Sequence, residues 1–183
     1  MLKGKKIYLR SVEKRDVNIF YNYSTDKEIR KFDGGNMILP SIEYVMQHFD
    51  EIMNISRKTL SIINEKGVLV GYLTYKEFED TNNIYSIGIT IGSQFWGRGY
   101  GQDSIKVLLE YLFMYRGAQR VELEVVDYNT RAISCYEKCG FIIEGKKRKR
   151  YFAQGQYHDT LIMGILKEEF DNIKSNDTNN IKI

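Results

Sequence analysis

The segment Gly92-Ser93-Gln94-Phe95-Trp96-Gly97-Arg98-Gly99-Tyr100-Gly101-Gln102 constrains the fold more than any other part of this chain. It follows a β-branched run (Ile87, Ile89, Thr90, Ile91) and precedes an apolar stripe at helical spacing, Ile105, Leu108, Leu109, Leu112 and Phe113. A strand that passes through alternating glycines straight into a helix gathers several free backbone N–H groups beside a helix N-terminus. Such a turn is an anion site, and a phosphorylated ligand is the expectation.

The rest of the chain sorts by hydrophobic period. Residues 7–9 read as a strand, 16–23 as a helix, 26–31 as a helical turn and 32–40 as a glycine-containing loop. Ile42, Val45, Met46, Phe49, Ile52 and Met53 predict a helix over 41–56 with Ser41 as its cap. Residues 60–64, 69–78 and 84–91, separated by turns at 65–67 and 80–83, read as an antiparallel meander. Beyond the glycine turn comes a helix stopped by Gly117, a strand over 121–126, a helix over 130–139 stopped by Gly140, and a hairpin of 141–152 with 157–166. The predicted class is mixed α/β (α+β): one domain with a mostly antiparallel mixed central sheet flanked by helices.

At 183 residues, 43% apolar and 28% charged, the chain suits a single globular domain over 1–170, with 171–183 as a flexible tail. A net charge of +3 sets up no global field toward a membrane or a nucleic acid. Nothing approaches the ~18 apolar residues of a membrane span, nor a signal peptide, so a cytoplasmic location is expected. The two cysteines, Cys135 and Cys139, lack a second pair or a nearby histidine; no metal site is expected, and they read as small core residues.

Several meanings of the glycine turn compete. A Walker-type loop requires Lys-Ser/Thr where Gln102-Asp103 stands. A dinucleotide fingerprint requires glycine in place of Ser104, although Glu122, Glu124 and Asp127 fall near the spacing of a ribose-binding acid. A purely structural turn is a third meaning. The downstream run Asn129-Thr130-Arg131-Ala132-Ile133-Ser134-Cys135-Tyr136-Glu137-Lys138-Cys139-Gly140-Phe141 supplies a fourth. It resembles the Asn-x-x-Ala-x-x-x-Tyr-x-x-x-Gly-Phe signature of the GNAT N-acetyltransferase superfamily, and the glycine turn resembles that superfamily's pyrophosphate loop. With Glu144-Gly145, Gly155, Asp159, Met163 and Pro40-Ser41-x-Glu43, the likeness points to the RimJ/RimL-like branch.

The resemblance implies acetyl-CoA as co-substrate and direct transfer to a primary amine. By similarity, the loop residues Trp96, Gly97, Arg98, Gly99, Tyr100, Gly101 and Gln102 cradle the pyrophosphate, with backbone N–H groups from Arg98 to Gln102 as donors. Ile89 and Ile91 pair the pantetheine amides, Asn129 and Tyr136 lie near the thioester, and Arg131 lies near the phosphates. Trp96 departs from the Gln or Arg usual in the family. The Ile91 N–H would stabilise the oxyanion, and Tyr136 would protonate the leaving thiolate. Read from the residues alone, Tyr136 also suits the core.

Relatives carry a glutamate where this chain has Ser86, which cannot serve unaided as a base though it can hold a water. That gap favours a low-pKa acceptor. A peptide or protein N-terminal α-amine therefore leads, with an amino sugar, polyamine or aminoglycoside behind, in a monomer or homodimer. Lys146-Lys147-Arg148-Lys149-Arg150, on a predicted strand, reads either as a charged edge or as a face that repels a polyamine and attracts an anionic acceptor. A non-catalytic acyl-CoA sensor and an RNA-binding module are the readings from other classes. His48 reads as packing, and His158 as a surface residue.

Overall fold

The computed structural model describes residues 1–32, 38–53, 58–79 and 83–179, the last four by backbone alone. Leu2–Lys3 (β1) and Ile7–Ser11 (β2) precede four short helices, Val17–Thr25 (α1), Lys27–Arg30 (α2), Ile42–Gln47 (α3) and Phe49–Met53 (α4). Lys58–Asn64 (β3), Leu69–Glu77 (β4) and Ile84–Ile91 (β5) form the meander. Tyr100–Tyr115 (α5), Arg120–Val126 (β6) and Thr130–Glu137 (α6) follow, then Ile142–Ala153 (β7), Gln156–Leu166 (β8) and Lys167–Asn179 (α7).

The strands make one eight-stranded sheet in the order β1-β2-β3-β4-β5-β6-β8-β7. Every neighbouring pair is antiparallel except β5–β6, which is parallel because α5 crosses between them. This is the expected mixed α/β architecture. The helical stripe of α5 lies on one face: Ile105, Leu108, Leu109, Leu112 and Phe113 are buried among Ile7, Leu9, Ile62, Leu73, Tyr85, Ile87 and Val121. Burying each such side chain stabilises the domain by about 1.5–3 kcal/mol. Alternate strand residues point to the other face, where Tyr23, Ile29, Ile63 and Leu69 form a second cluster beneath α1 and α2. The backbone is therefore rigid on both sides of the sheet's centre, which is where a site needs it.

Two segments differ from the reading above. The helix expected over 41–56 starts at its Ser41 cap, whose hydroxyl accepts from Tyr44 N–H at 3.2 Å, but breaks at His48 into α3 and α4. His48, at φ of −100° and ψ of 21°, departs from helical backbone; its ring stacks on Tyr44 and its Nδ1 lies 2.9 Å from the Tyr44 carbonyl. Residues 171–179, expected as a flexible tail, belong to α7. Phe170 stacks on Phe113 at 4.9 Å, and Ile173 packs so close to Gly140 that a Cβ there would meet it at 2.4 Å. Residues 33–37 of the expected loop, 54–56 of the expected helix, 80–82 of the expected turn and 180–183 of the expected tail lie outside the described residues. No helix among the described residues is long and apolar enough to cross a membrane.

Candidate active site

The site begins where β5 and β6 part. Their parallel pairing runs only from Ile84↔Arg120 to Ser86↔Glu122, yet the strands continue to Ile91 and Val126. Phe78 N–H donates to the Ile84 carbonyl and Gly92 N–H to the Val70 carbonyl, so even-numbered residues of β5 face β4 with their backbone groups. By alternation the N–H and C=O of Ile89 and Ile91 point into the opening. The cleft so formed has a volume of about 960 Å³.

The glycine loop closes one end of the cleft. Gly97 and Gly99 adopt φ of 75° and 83°, the left-handed region that other residues enter at a cost, and Gly99 caps α5 with no side-chain hydrogen bond to the helix N-terminus. Asp103, the one acid of the first turn, is turned away: it accepts from the backbone N–H groups of Lys5 at 3.2 Å, Lys6 at 2.7 Å and Ile7 at 3.2 Å. The loop's first residue is anchored as well. Ser93 donates to Asp26 at 2.5 Å, which holds that carboxyl below its ordinary range. Lys6 Nζ reaches the Arg98 carbonyl at 3.0 Å and brings a cation to the loop that the motif did not reveal.

Helix α6 forms the facing wall. Asn129 caps it, its side chain accepting from Ala132 N–H at 3.2 Å, so its oxygen has a structural duty beside the cleft. Tyr136, only 6% exposed, is buried as the core reading expects, yet also lines the cleft, and it meets Phe141 edge-on at 5.8 Å. Arg131 sits over the Trp96 ring, and Trp96 Nε1 donates to the Ile91 carbonyl at 2.7 Å. Burial draws the Arg131 guanidinium below its ordinary pKa, with Glu28 opposing.

The expected residues Ile89, Ile91, Trp96, Gly97, Gly99, Tyr100, Gly101, Gln102, Asn129, Arg131 and Tyr136 all border this one cleft. Two do not. The Arg98 side chain turns out to the Gln94 carbonyl and over the Phe95 ring, leaving its backbone as the usable part. Ser86 lies where the strands are still paired, opposite Lys76 and Glu122, and is not in the wall of the cleft. The cleft opens only beyond its level in the sheet.

Sequence reasoning passed over Tyr72 and Tyr151, which line the cleft, and considered Glu124 and Arg150, which line it too, only for other roles. Glu124 is the one carboxylate among the described lining residues, and Lys147 pairs with it. Period 2 in β6 put Glu124 opposite the buried Val125 face, but only the splay turns that face into a site. The basic run also departs from simple alternation. Between Lys147↔Thr160 and Tyr151↔His158, residues 148–150 bulge opposite Asp159, which accepts from Lys149 N–H at 2.8 Å and pairs with Lys146 at 3.2 Å. The bulge delivers Arg150 to the cleft. His158 packs against Tyr128 at 4.4 Å. Among the described residues no cluster of His, Cys, Asp and Glu could hold a metal.

A sheet splayed at its one parallel junction, with a glycine-rich helix N-terminus at its mouth, defines an acyl-CoA-dependent transferase of the GNAT class. The family model for the acetyltransferase (GNAT) domain matches residues 6–142, and the chain belongs to that family. It is 24% identical over 177 residues to the spermidine N(1)-acetyltransferase of Vibrio cholerae, covering 92% of this chain and 98% of that protein. A putative ribosomal N-acetyltransferase of Bacillus subtilis is 28% identical over 108 residues, 59% of each chain. The crystal structure of the Vibrio cholerae spermidine N-acetyltransferase with CoA and spermine superposes with a TM-score of 0.80 at 22% identity, over 90% of this chain and 97% of that one. The protein is an acetyl-CoA-dependent N-acetyltransferase.

Proposed function

We propose that the chain acetylates a primary amine of a small polycationic acceptor, of the polyamine class named for the Vibrio cholerae relatives. Glu124 carries this reading. It is a carboxylate in the cleft wall, and Phe32, Tyr72 and Tyr151 line the same cleft with aromatic rings suited to cations. An alkyl ammonium with pKa near 10.4 is only about 0.1% neutral at pH 7.4 and costs roughly 4 kcal/mol to deprotonate there. The lack of a glutamate at position 86 weighed against such an acceptor, and Glu124, reaching in from the other strand, restores a proton acceptor. The incoming ammonium displaces Lys147 from Glu124, gives up its proton and attacks the thioester carbonyl.

In the same reading the uncapped amides after Gly99 hold the pyrophosphate, Ile89 and Ile91 align the pantetheine arm, and the Ile91 N–H receives the developing oxyanion. Tyr136 protonates the thiolate as it departs. A second reading, an acidic peptide N-terminus, is favoured by Arg150 at the same mouth and by the partial likeness to the ribosomal enzyme, which also supports the RimJ/RimL-like branch.

The test is CoA release from acetyl-CoA with spermidine, spermine, an amino sugar and peptides of acidic or neutral N-terminus. The highest kcat/KM for a polyamine is expected. Preference for the acidic peptide would replace this reading with the second, and binding of acetyl-CoA without turnover of any amine would overturn both.

A further inference from the structure

The chain's two thiols stand at and just behind the wall of the cleft. Cys135 is half-buried and lines it, and Cys139 is buried one turn further on. Cys139 lies past the last residue of α6, in a tight turn where its N–H donates to the Tyr136 carbonyl at 2.9 Å and which leads to the left-handed Gly140. The second thiol thus rides on a segment that can adjust where a helix interior could not. The Cys139 thiol has two acceptors in reach, the Cys135 sulfur and the Gln102 carbonyl oxygen at 3.6 Å.

We propose that Cys135 and Cys139 are a redox-active dithiol, oxidised by a hydroperoxide to a disulfide that closes the cleft to acetyl-CoA. The closing of the cleft rests on the assignment of that cleft to acetyl-CoA; the dithiol chemistry stands apart from it. The surroundings assign the two roles. The hydrogen bond from Cys139 draws the Cys135 thiol below its ordinary pKa against the effect of burial, with the Lys138 ammonium assisting, while Cys135 and burial push Cys139 up.

The Cys135 thiolate attacks one peroxide oxygen: an S–O bond forms, the O–O bond breaks, and the second oxygen leaves as hydroxide and takes a proton to become water. The Cys139 sulfur then attacks the Cys135 sulfur. The S–S bond forms, the S–O bond breaks, and the departing hydroxide leaves with the Cys139 proton as water. Two sulfurs lose two electrons in total and the peroxide gains them.

The disulfide loop encloses Tyr136 and Lys138. The Lys138 carbonyl accepts from Gln102 Nε2 at 3.4 Å, and the Cys135 sulfur lies 3.7 Å from where a Cβ on Gly101 would stand. Drawing the sulfurs to bonding distance pulls the end of α6 across the first turn of α5 and shifts the Tyr136 ring.

The experiment treats the reduced full chain with hydrogen peroxide. Titratable thiols are expected to fall from two to none, with a mass loss of about 2 Da. Trypsin cleaves after Lys138, between the cysteines, so peptides 132–138 and 139–146 should appear joined until a reductant separates them. By calorimetry CoA affinity should fall ~10-fold or more on oxidation and return with dithiothreitol, and prior saturation with acetyl-CoA should slow thiol loss. Cys139→Ala should gain oxygen at Cys135 and show no such mass loss. Thiols that survive peroxide without a joined peptide would overturn the proposal. A joined peptide with unchanged CoA affinity would overturn the closing of the cleft. A reduced chain that binds no CoA would overturn the cofactor assignment, and the closing with it.

Discussion

The Arg131 guanidinium sits 3.2 Å from the centroid of the Trp96 ring, and the same indole donates its Nε1–H to the Ile91 carbonyl at 2.7 Å. One side chain thereby ties the glycine loop to the N-terminal turn of α6 and to the end of β5. The departure from Gln or Arg at position 96 exchanges a polar contact for an aromatic platform that fixes a cation. Trp96→Ala is expected to raise the Kd for acetyl-CoA about 5- to 10-fold, since Arg131 loses its support. Trp96 is the chain's single tryptophan. Its fluorescence should therefore change saturably as acetyl-CoA is titrated into the wild type, and a flat signal would place the ligand elsewhere.

Tyr136→Phe keeps the ring against Phe141 and removes only the hydroxyl. Turnover is expected to fall about 100-fold with acetyl-CoA affinity within about 2-fold of wild type, the pattern of a lost general acid. Equal losses in affinity and turnover would make Tyr136 a packing residue alone.

Glu124 and Lys147 should respond in opposite senses. Glu124→Gln is expected to lower kcat/KM for a polyamine about 100-fold by removing the proton acceptor, whereas Lys147→Ala frees Glu124 and lowers the polyamine KM. Steady-state kinetics with spermidine decides. A Glu124→Gln enzyme with wild-type rates would remove this residue from the chemistry.

Gly99→Val forces a β-branched residue into φ of 83° and directs its Cβ to within 3.1 Å of Lys6 Nζ. Acetyl-CoA affinity should drop ~10-fold or more, because the strain reshapes the first amides of α5. Gly67→Val is the control: φ is 76° with open space around it, in the β3–β4 turn. It should cost stability of the same order while leaving calorimetric CoA binding unchanged.

Asp16 is 3% exposed and holds Arg10 through two hydrogen bonds of 2.6 and 2.8 Å, with Ser61 Oγ at 2.7 Å and Glu13 N–H at 2.9 Å. Burial pushes its carboxyl up, and these donors outweigh burial to leave it below the ordinary range. A depressed folded-state pKa stabilises above the unfolded value of about 3.9, and that stability is lost as pH falls through the folded value. Asp16→Asn should therefore cost about 2–4 kcal/mol at pH 7 in urea unfolding. The gap to wild type should close as the pH drops below about 4; a gap independent of pH would assign the cost to packing.

Much of this molecule is written in local pattern. Ile105 through Phe113 announce a buried helix, the alternation in 84–91 and 121–126 announces strands, and the glycines at 97, 99 and 101 announce an anion-binding turn, because period and backbone freedom are properties of neighbours in the chain. Tyr136 could be named from its motif for the same reason. The break at His48 and the bulge at residues 148–150 were less legible. Each is a change of backbone conformation at one residue, His48 with φ of −100° and Lys149 with φ of 51°, that interrupts the regular period.

Glu124 and Ser86 stand differently toward the cleft for a reason no local pattern holds. The distance between β5 and β6 grows only after Ser86↔Glu122, so Ser86 stays within the paired sheet while Glu124, from a strand some forty residues away in the chain, borders the cleft. The chain's own order specified its elements and its phosphate turn, since those arise from contacts within a few residues. The tertiary structure alone decided which carboxylate borders the cleft, because that follows from where two strands stop being hydrogen-bonded to each other.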